Sequence, residues 1–282
     1  MDYVSVRFAH ALGQDNLDLC IAALGEAGCE SFETGQDEVT AYISKPAYMD
    51  NKAAIDAVLD EYGPVRERTD TVIEDRDWNA VWESSYQPVR FGDFCFVRAP
   101  FHEPLHEVKY DILIEPKMSF GTAHHPTTAL MIRFLEKFPP AGEDVLDMGC
   151  GTGVLGLLAA MQGARSVTGI DVDEWAYRNA LENVRANGFS ESAPCPFTVK
   201  MGDAGWLAGL RFDRVLANIN RNILTGDMGA YSSVLDTGGS IYLSGFYRQD
   251  MEIIEQACNT HRLFYQEHLV QDDWTAMKFI KK

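Results

Sequence analysis

The run Val145-Leu146-Asp147-Met148-Gly149-Cys150-Gly151-Thr152-Gly153 constrains the fold more than any other segment of this chain. An apolar strand ends in an acidic residue, enters a turn with glycine at alternate positions, and continues into the helical pattern of residues 154–163. Glycines there let a ligand approach the backbone, and the amides at the following helix start are ready donors. About twenty residues on, Gly169-Ile170-Asp171 sets a carboxylate at the end of the next strand, where it can accept from both hydroxyls of a ribose. The stretch Gly151-Thr152-Gly153-Val154-Leu155-Gly156 also satisfies the dinucleotide fingerprint. The loop, however, begins two residues earlier, and Asp147 stands just before it. A carboxylate in that place is poorly suited to a pyrophosphate and suits a cationic sulfonium or amino group.

From residue 126 the pattern is regular α/β. A helix over 126–138 starts at Pro126, and strands over 144–147, 166–171, 197–200, 212–217 and 240–244 alternate with helices over 154–163, 174–187, 223–235 and 250–260. Two extended runs, 265–270 and 274–280, follow. Alternating βα units predict a mostly parallel, doubly wound sheet with antiparallel strands at its C-terminal end. Residues 1–75 read β-α-β-β-α-β: strands over 3–8, 30–34, 39–43 and 65–73, and helices over 17–27 and 52–62. That order is the ferredoxin-like sandwich. Between them, residues 76–115 read as a connector, with a short helix carrying Trp78 and Trp82 and strands over 94–98 and 112–114. The expected domains are therefore 1–75, 76–115 and 116–282.

Charge narrows the partners. The 282 residues carry 24 Lys and Arg against 42 Asp and Glu, a net charge of −18, which disfavours a DNA-binding role. Residues 1–75 hold −11 of it, sixteen acidic against five basic. The first residues lack a secretory pattern, and no apolar run reaches membrane-spanning length, so a cytoplasmic protein without a membrane partner is expected. Six scattered cysteines and the tandem His124-His125 predict no metal site; His125 is expected to cap a helix and His124 to be exposed.

These residues resemble a family. Asp147 to Gly153 with Gly169-Ile170-Asp171 is similar to the class I S-adenosylmethionine-dependent methyltransferase signature. Three further segments resemble the PrmA family, which methylates protein eleven of the large ribosomal subunit: Ser119 to Leu130, Val215-Leu216-Ala217-Asn218-Ile219, and the connector from Asp77-Trp78 to Arg90-Phe91-Gly92. The resemblance implies a Rossmann-like class I methyltransferase domain behind a ferredoxin-like substrate-recognition domain. It implies S-adenosylmethionine contacts from Thr128, Gly149, Asp171 and Asn218, with Gly151 in the same loop, and methylation, up to trimethylation, of lysine and N-terminal amines of a basic ribosomal protein. Thr128 is expected to reach the cofactor's carboxylate end, Asn218 to orient the substrate amine, and Asp203 to accept from the adenine amino group; no residue is assigned as a catalytic base. The chain departs from the family at Ala123 and His124, which replace Gly and Thr, and at Asn220-Arg221-Asn222. Other expectations the residues allow are a methyltransferase for another amine, an RNA or a small molecule, or a non-catalytic binding protein.

Overall fold

The structure, a computed structural model, describes residues 2–35, 37–62, 66–73, 86–117 and 119–282. The chain divides into two compact units, Met1–Ser85 and Tyr86–Lys282. The helix expected around Trp78 and Trp82 lies outside the described residues.

The first unit runs β1 (Tyr3–Ala9), α1 (Gln14–Glu26), β2 (Ser31–Thr34), β3 (Glu38–Ser44), α2 (Lys45–Tyr62) and β4 (Arg66–Ile73), in the sheet order β2-β3-β1-β4. Strict alternation sends Val4, Val6 and Phe8 of β1 and Val39, Ala41 and Ile43 of β3 to one face. They pack there against Leu17, Cys20 and Leu24 of α1 and Ile55 and Leu59 of α2. The opposite face carries Ser5, Arg7, Thr40, Tyr42, Glu67, Thr69 and Thr71, with Glu33 and Glu38 beside them. Helix α2 begins seven residues before its expected start. Pro46 sits in its first turn, where a missing N–H costs no helical hydrogen bond.

The second unit opens with a three-stranded sheet: β5 (Val89–Phe91), β6 (Cys95–Arg98) and β7 (Tyr110–Leu113). Cys95, Val97, Ile112 and Ile114 belong to the same apolar cluster as Leu130, Phe134 and Leu157 further along. From Tyr86 onward the expected connector is thus part of the larger unit's core. There follow α3 (Pro126–Lys137), β8 (Asp144–Met148), α4 (Val154–Met161), β9 (Ser166–Asp171), α5 (Glu174–Ala186), β10 (Phe197–Met201), β11 (Phe212–Asn218), α6 (Arg221–Val234), β12 (Leu235–Tyr247), α7 (Met251–Thr260), β13 (Leu263–Gln271) and β14 (Trp274–Lys281).

The seven strands β8 to β14 make one sheet, ordered β10-β9-β8-β11-β12-β14-β13; pairs from β10 to β12 are parallel, and β14 is antiparallel to both its neighbours. One face packs on α3, α4 and α5, the other on α6 and α7. Hence Val145 and Leu146, adjacent in β8, enter different clusters, and both sides of each central strand are apolar. Strand order reverses at β8, with β9 on one side and β11 on the other. A ligand crevice belongs at the carboxyl ends of these strands.

Asp147 corrects one expectation. It is 1% exposed and lies beneath the glycine loop, where one oxygen accepts from the Gly156 amide at 2.9 Å in the first turn of α4, so it does not face the crevice. Burial, reinforced by the charge of Asp171, pushes its carboxyl up to about 7. The folded state therefore keeps this proton to a higher pH than the unfolded chain does, so stability falls as pH rises from about 4 to about 7 and then levels off. The full difference is worth about 4 kcal/mol. Asp147→Asn keeps an acceptor for Gly156 and removes the titration. Thermal melts should show the variant gaining several degrees on the parent as the pH is raised through this window, whereas parallel melting curves would refute the assignment.

Candidate functional site

A cavity of about 600 Å³ opens at the carboxyl ends of β8, β9 and β11. That volume suits a nucleoside-sized ligand. Gly149, Gly151, Asp171, Asp203 and Asn218 all line it, so the structure brings together five of the six residues expected to contact the cofactor.

The glycine loop is shaped by its neighbours. Gly149 and Gly151 adopt φ of +69° and +55°. A Cβ on Gly149 would collide with the Ile219 side chain, and one on Gly151 with the Phe120 carbonyl. Thr152, fully buried, ties this loop to the segment before α3: its amide donates to Phe120 O at 2.9 Å and its hydroxyl to Gly121 O at 2.7 Å. Asp171 completes the loop. Oδ2 accepts from the Gly151 amide at 2.8 Å and Oδ1 from the Asp173 amide at 3.0 Å. Asp203 closes the far rim, with one oxygen accepting from the Gly205 amide at 2.8 Å.

Thr128 stands one layer back. It is buried and does not line the cavity; its hydroxyl accepts from Asn218 Nδ2 at 3.3 Å. The helical turn points Thr127 into the cavity instead. Thr128 thus holds the Asn218 amide. With Nδ2 engaged, Asn218 Oδ1 is buried without a partner, as is Ser119 Oγ, and both residues line the cavity. Buried polar atoms without partners are rare, and two in one cavity mark where a ligand supplies hydrogen bonds.

The departures in the loop before α3 also find places. His125 caps α3, its Nδ1 accepting from the Thr127 amide at 3.3 Å. His124 is exposed, and Nε2 lies 2.8 Å from Gln87 O. Ala123 has φ of +67°, in the left-handed region, where the family loop carries glycine. Asn220 caps α6, accepting from the Asn222 amide at 2.9 Å, and Arg221 pairs with Asp250 at 2.6 Å.

Two groups of residues are missing from the sequence reading. Trp274, at the start of β14, enters the cavity wall beside His125. Asn179, Asn183 and Asn187, four residues apart on and just after α5, brace the backbone behind the site. Asn187 holds both polar groups of Leu113, Asn183 accepts from the Glu115 amide at 2.9 Å, and Asn183 Nδ2 donates to Thr152 O at 2.9 Å. Their four-residue spacing was the available signal.

Among the described residues, the cavity wall carries four carboxylates, Asp171, Asp173, Asp203 and Asp227, and no Lys or Arg. A loop that a Cβ would fill, two orphaned polar atoms and a field favouring cations together fit S-adenosylmethionine.

Comparisons with known proteins agree. A family model described as ribosomal protein L11 methyltransferase (PrmA) matches residues 18–282. The ribosomal protein L11 methyltransferase of Bacteroides fragilis is 40% identical over 287 residues, covering 99% of this chain and 100% of that protein. Its counterpart in Chlorobaculum tepidum is 32% identical over 288 residues, covering 96% and 94%. The crystal structure of ribosomal protein L11 methylase from Lactobacillus delbrueckii subsp. bulgaricus shares the fold, with a TM-score of 0.63 at 23% identity over 70% of this chain and 100% of that one. This chain belongs to the ribosomal protein L11 methyltransferase (PrmA) family and has its class I S-adenosylmethionine-dependent methyltransferase fold.

Proposed function

We propose that this chain methylates lysine and N-terminal amino groups of ribosomal protein L11. Relatives 40% identical along their whole length carry that name and support the substrate. The choice of an amine rests on one observation: Asn218, clamped through Nδ2 by Thr128, offers a buried, unpartnered Oδ1 in the cavity that holds the glycine loop.

S-adenosylmethionine supplies, when bound, an electrophilic methyl group on a sulfonium. The protein's task is to hold it and to align a neutral amine opposite the sulfur. In this reading Asp171 accepts from the ribose hydroxyls, Asp203 accepts from the adenine amino group, and the glycine loop receives the methionyl part. A lysine amine is mostly protonated at neutral pH; loss of its proton to water before docking costs about 4–5 kcal/mol, a cost that desolvation of the side chain in the cavity lowers. Asn218 Oδ1 then accepts one N–H and turns the nitrogen lone pair toward the methyl. The Phe120 and Trp274 rings keep water from the reacting atoms. No side chain need act as a base.

Delivery of a basic protein falls to the first unit. Its open sheet face bears Glu33, Glu38 and Glu67, with Arg7 paired to Glu38, and complementary charge raises encounter rates.

Asn218→Ala should slow methyl transfer by about a hundredfold, the scale of a misplaced reactant, while leaving the cofactor dissociation constant within about threefold. Equal losses in the two would remove the orienting role. Asp171→Ala should instead weaken cofactor binding about tenfold or more by calorimetry, and an unchanged constant would refute the ribose contact. Glu33→Lys with Glu67→Lys should lower kcat/KM for L11 at low salt by about tenfold, a deficit that shrinks as ionic strength rises. A deficit independent of salt would argue against electrostatic recruitment.

A further inference from the structure

One stretch of the cavity wall is lined by aromatic rings. Phe120 lies 5.2 Å from His125 between ring centroids, His125 lies 4.7 Å from Trp274, and Trp274 lies 4.1 Å from Tyr247, which continues the row beyond the cavity. Phe120, His125 and Trp274 line the same cavity as Asn218. His125 Nδ1 lies 2.8 Å from Thr127 Oγ1 and 3.3 Å from the Thr127 amide, contacts that fix the ring's orientation in the wall. The wall therefore presents π faces and edges, with carboxylates nearby and, among the described residues, no competing Lys or Arg.

Hydrogen-bond accounting points the same way. A lysine ammonium brings three N–H donors, and the cavity's unpartnered buried side-chain acceptors are two, Asn218 Oδ1 and Ser119 Oγ. Each methyl added to the nitrogen removes one donor to be satisfied and adds apolar surface for the rings. A trimethylated nitrogen has no donor left and keeps its charge, and aromatic faces bind such cations well.

We propose that this wall is an alkylammonium-binding site that holds a methylated lysine more tightly than an unmodified one. A partly methylated side chain is thereby retained between successive transfers. The retention role rests on the amine-methylation reading above; the binding preference stands on the wall itself.

The test uses the full chain saturated with S-adenosylhomocysteine. Three probes are titrated by calorimetry: N-acetyl-trimethyllysine amide, N-acetyl-lysine amide, and the neutral analogue in which carbon replaces the quaternary nitrogen. The trimethylated probe should bind about tenfold more tightly than either of the others, a difference of about 1.4 kcal/mol. Trp274→Leu, and separately the more exposed Phe120→Leu, should erase most of that preference. In the same variants the second and third methylations of L11 should slow relative to the first, so that mono- and dimethyl forms accumulate. A trimethylated probe that binds no better than lysine, or no better than its neutral analogue, overturns the proposal. Failure of the amine-methylation reading would look different: no methyl transfer to any amine, with the probe preference intact.

Discussion

Two backbone segments far apart in sequence meet at Gly151, where the absence of a side chain lets the Phe120 carbonyl rest against the loop. Thr152 fastens the contact with its amide and hydroxyl, and Asn183 takes the Thr152 carbonyl from behind. Asp171 fixes the same loop from the β9 side through the Gly151 amide. The cavity's floor and one of its walls are thus a single hydrogen-bonded unit. Phe120 and His125 reach the cavity because the segment carrying them is anchored there, and α3 then brings Thr128 to Asn218.

Electrostatics divides the labour between buried and exposed carboxylates. Asp147 lies out of reach of a ligand and holds the first turn of α4; burial raises its carboxyl to about 7. The carboxylates in the cavity wall face a different task, a cationic cofactor. Those on the open face of the first unit suit a basic protein at longer range. The net charge of −18 is therefore not a uniform property of the surface: −11 of it lies in residues 1–75, and Glu33, Glu38 and Glu67 of that stretch stand on the open sheet face.

Much of this was legible in the sequence because it is local. Parallel strands read as short apolar runs, Asp173 sits at a helix start, and the glycines of 149–153 announce a turn that only glycine tolerates. What escaped depends on contacts between distant segments. Nothing near Thr127 and Thr128 says which of them faces the ligand; the rotation of α3 against β11 decides it. Trp274 reads as the first residue of an edge-side strand, and only the antiparallel return of β14 beside β12 carries it to the cavity. The start of β5 and the inclusion of residues 86–115 in the larger core were missed for the same reason, since a short strand is recognisable mainly by its partner.

The proposed function is methyl transfer by this assembled cavity to a protein amine. The most direct measurement is the intact mass of unmodified L11 after incubation with the chain and S-adenosylmethionine. Successive increments of one methyl group, mapped by fragmentation to lysine or N-terminal nitrogens, are the predicted result. An unchanged L11 mass, with a chain that binds the cofactor in the same solution, would contradict it.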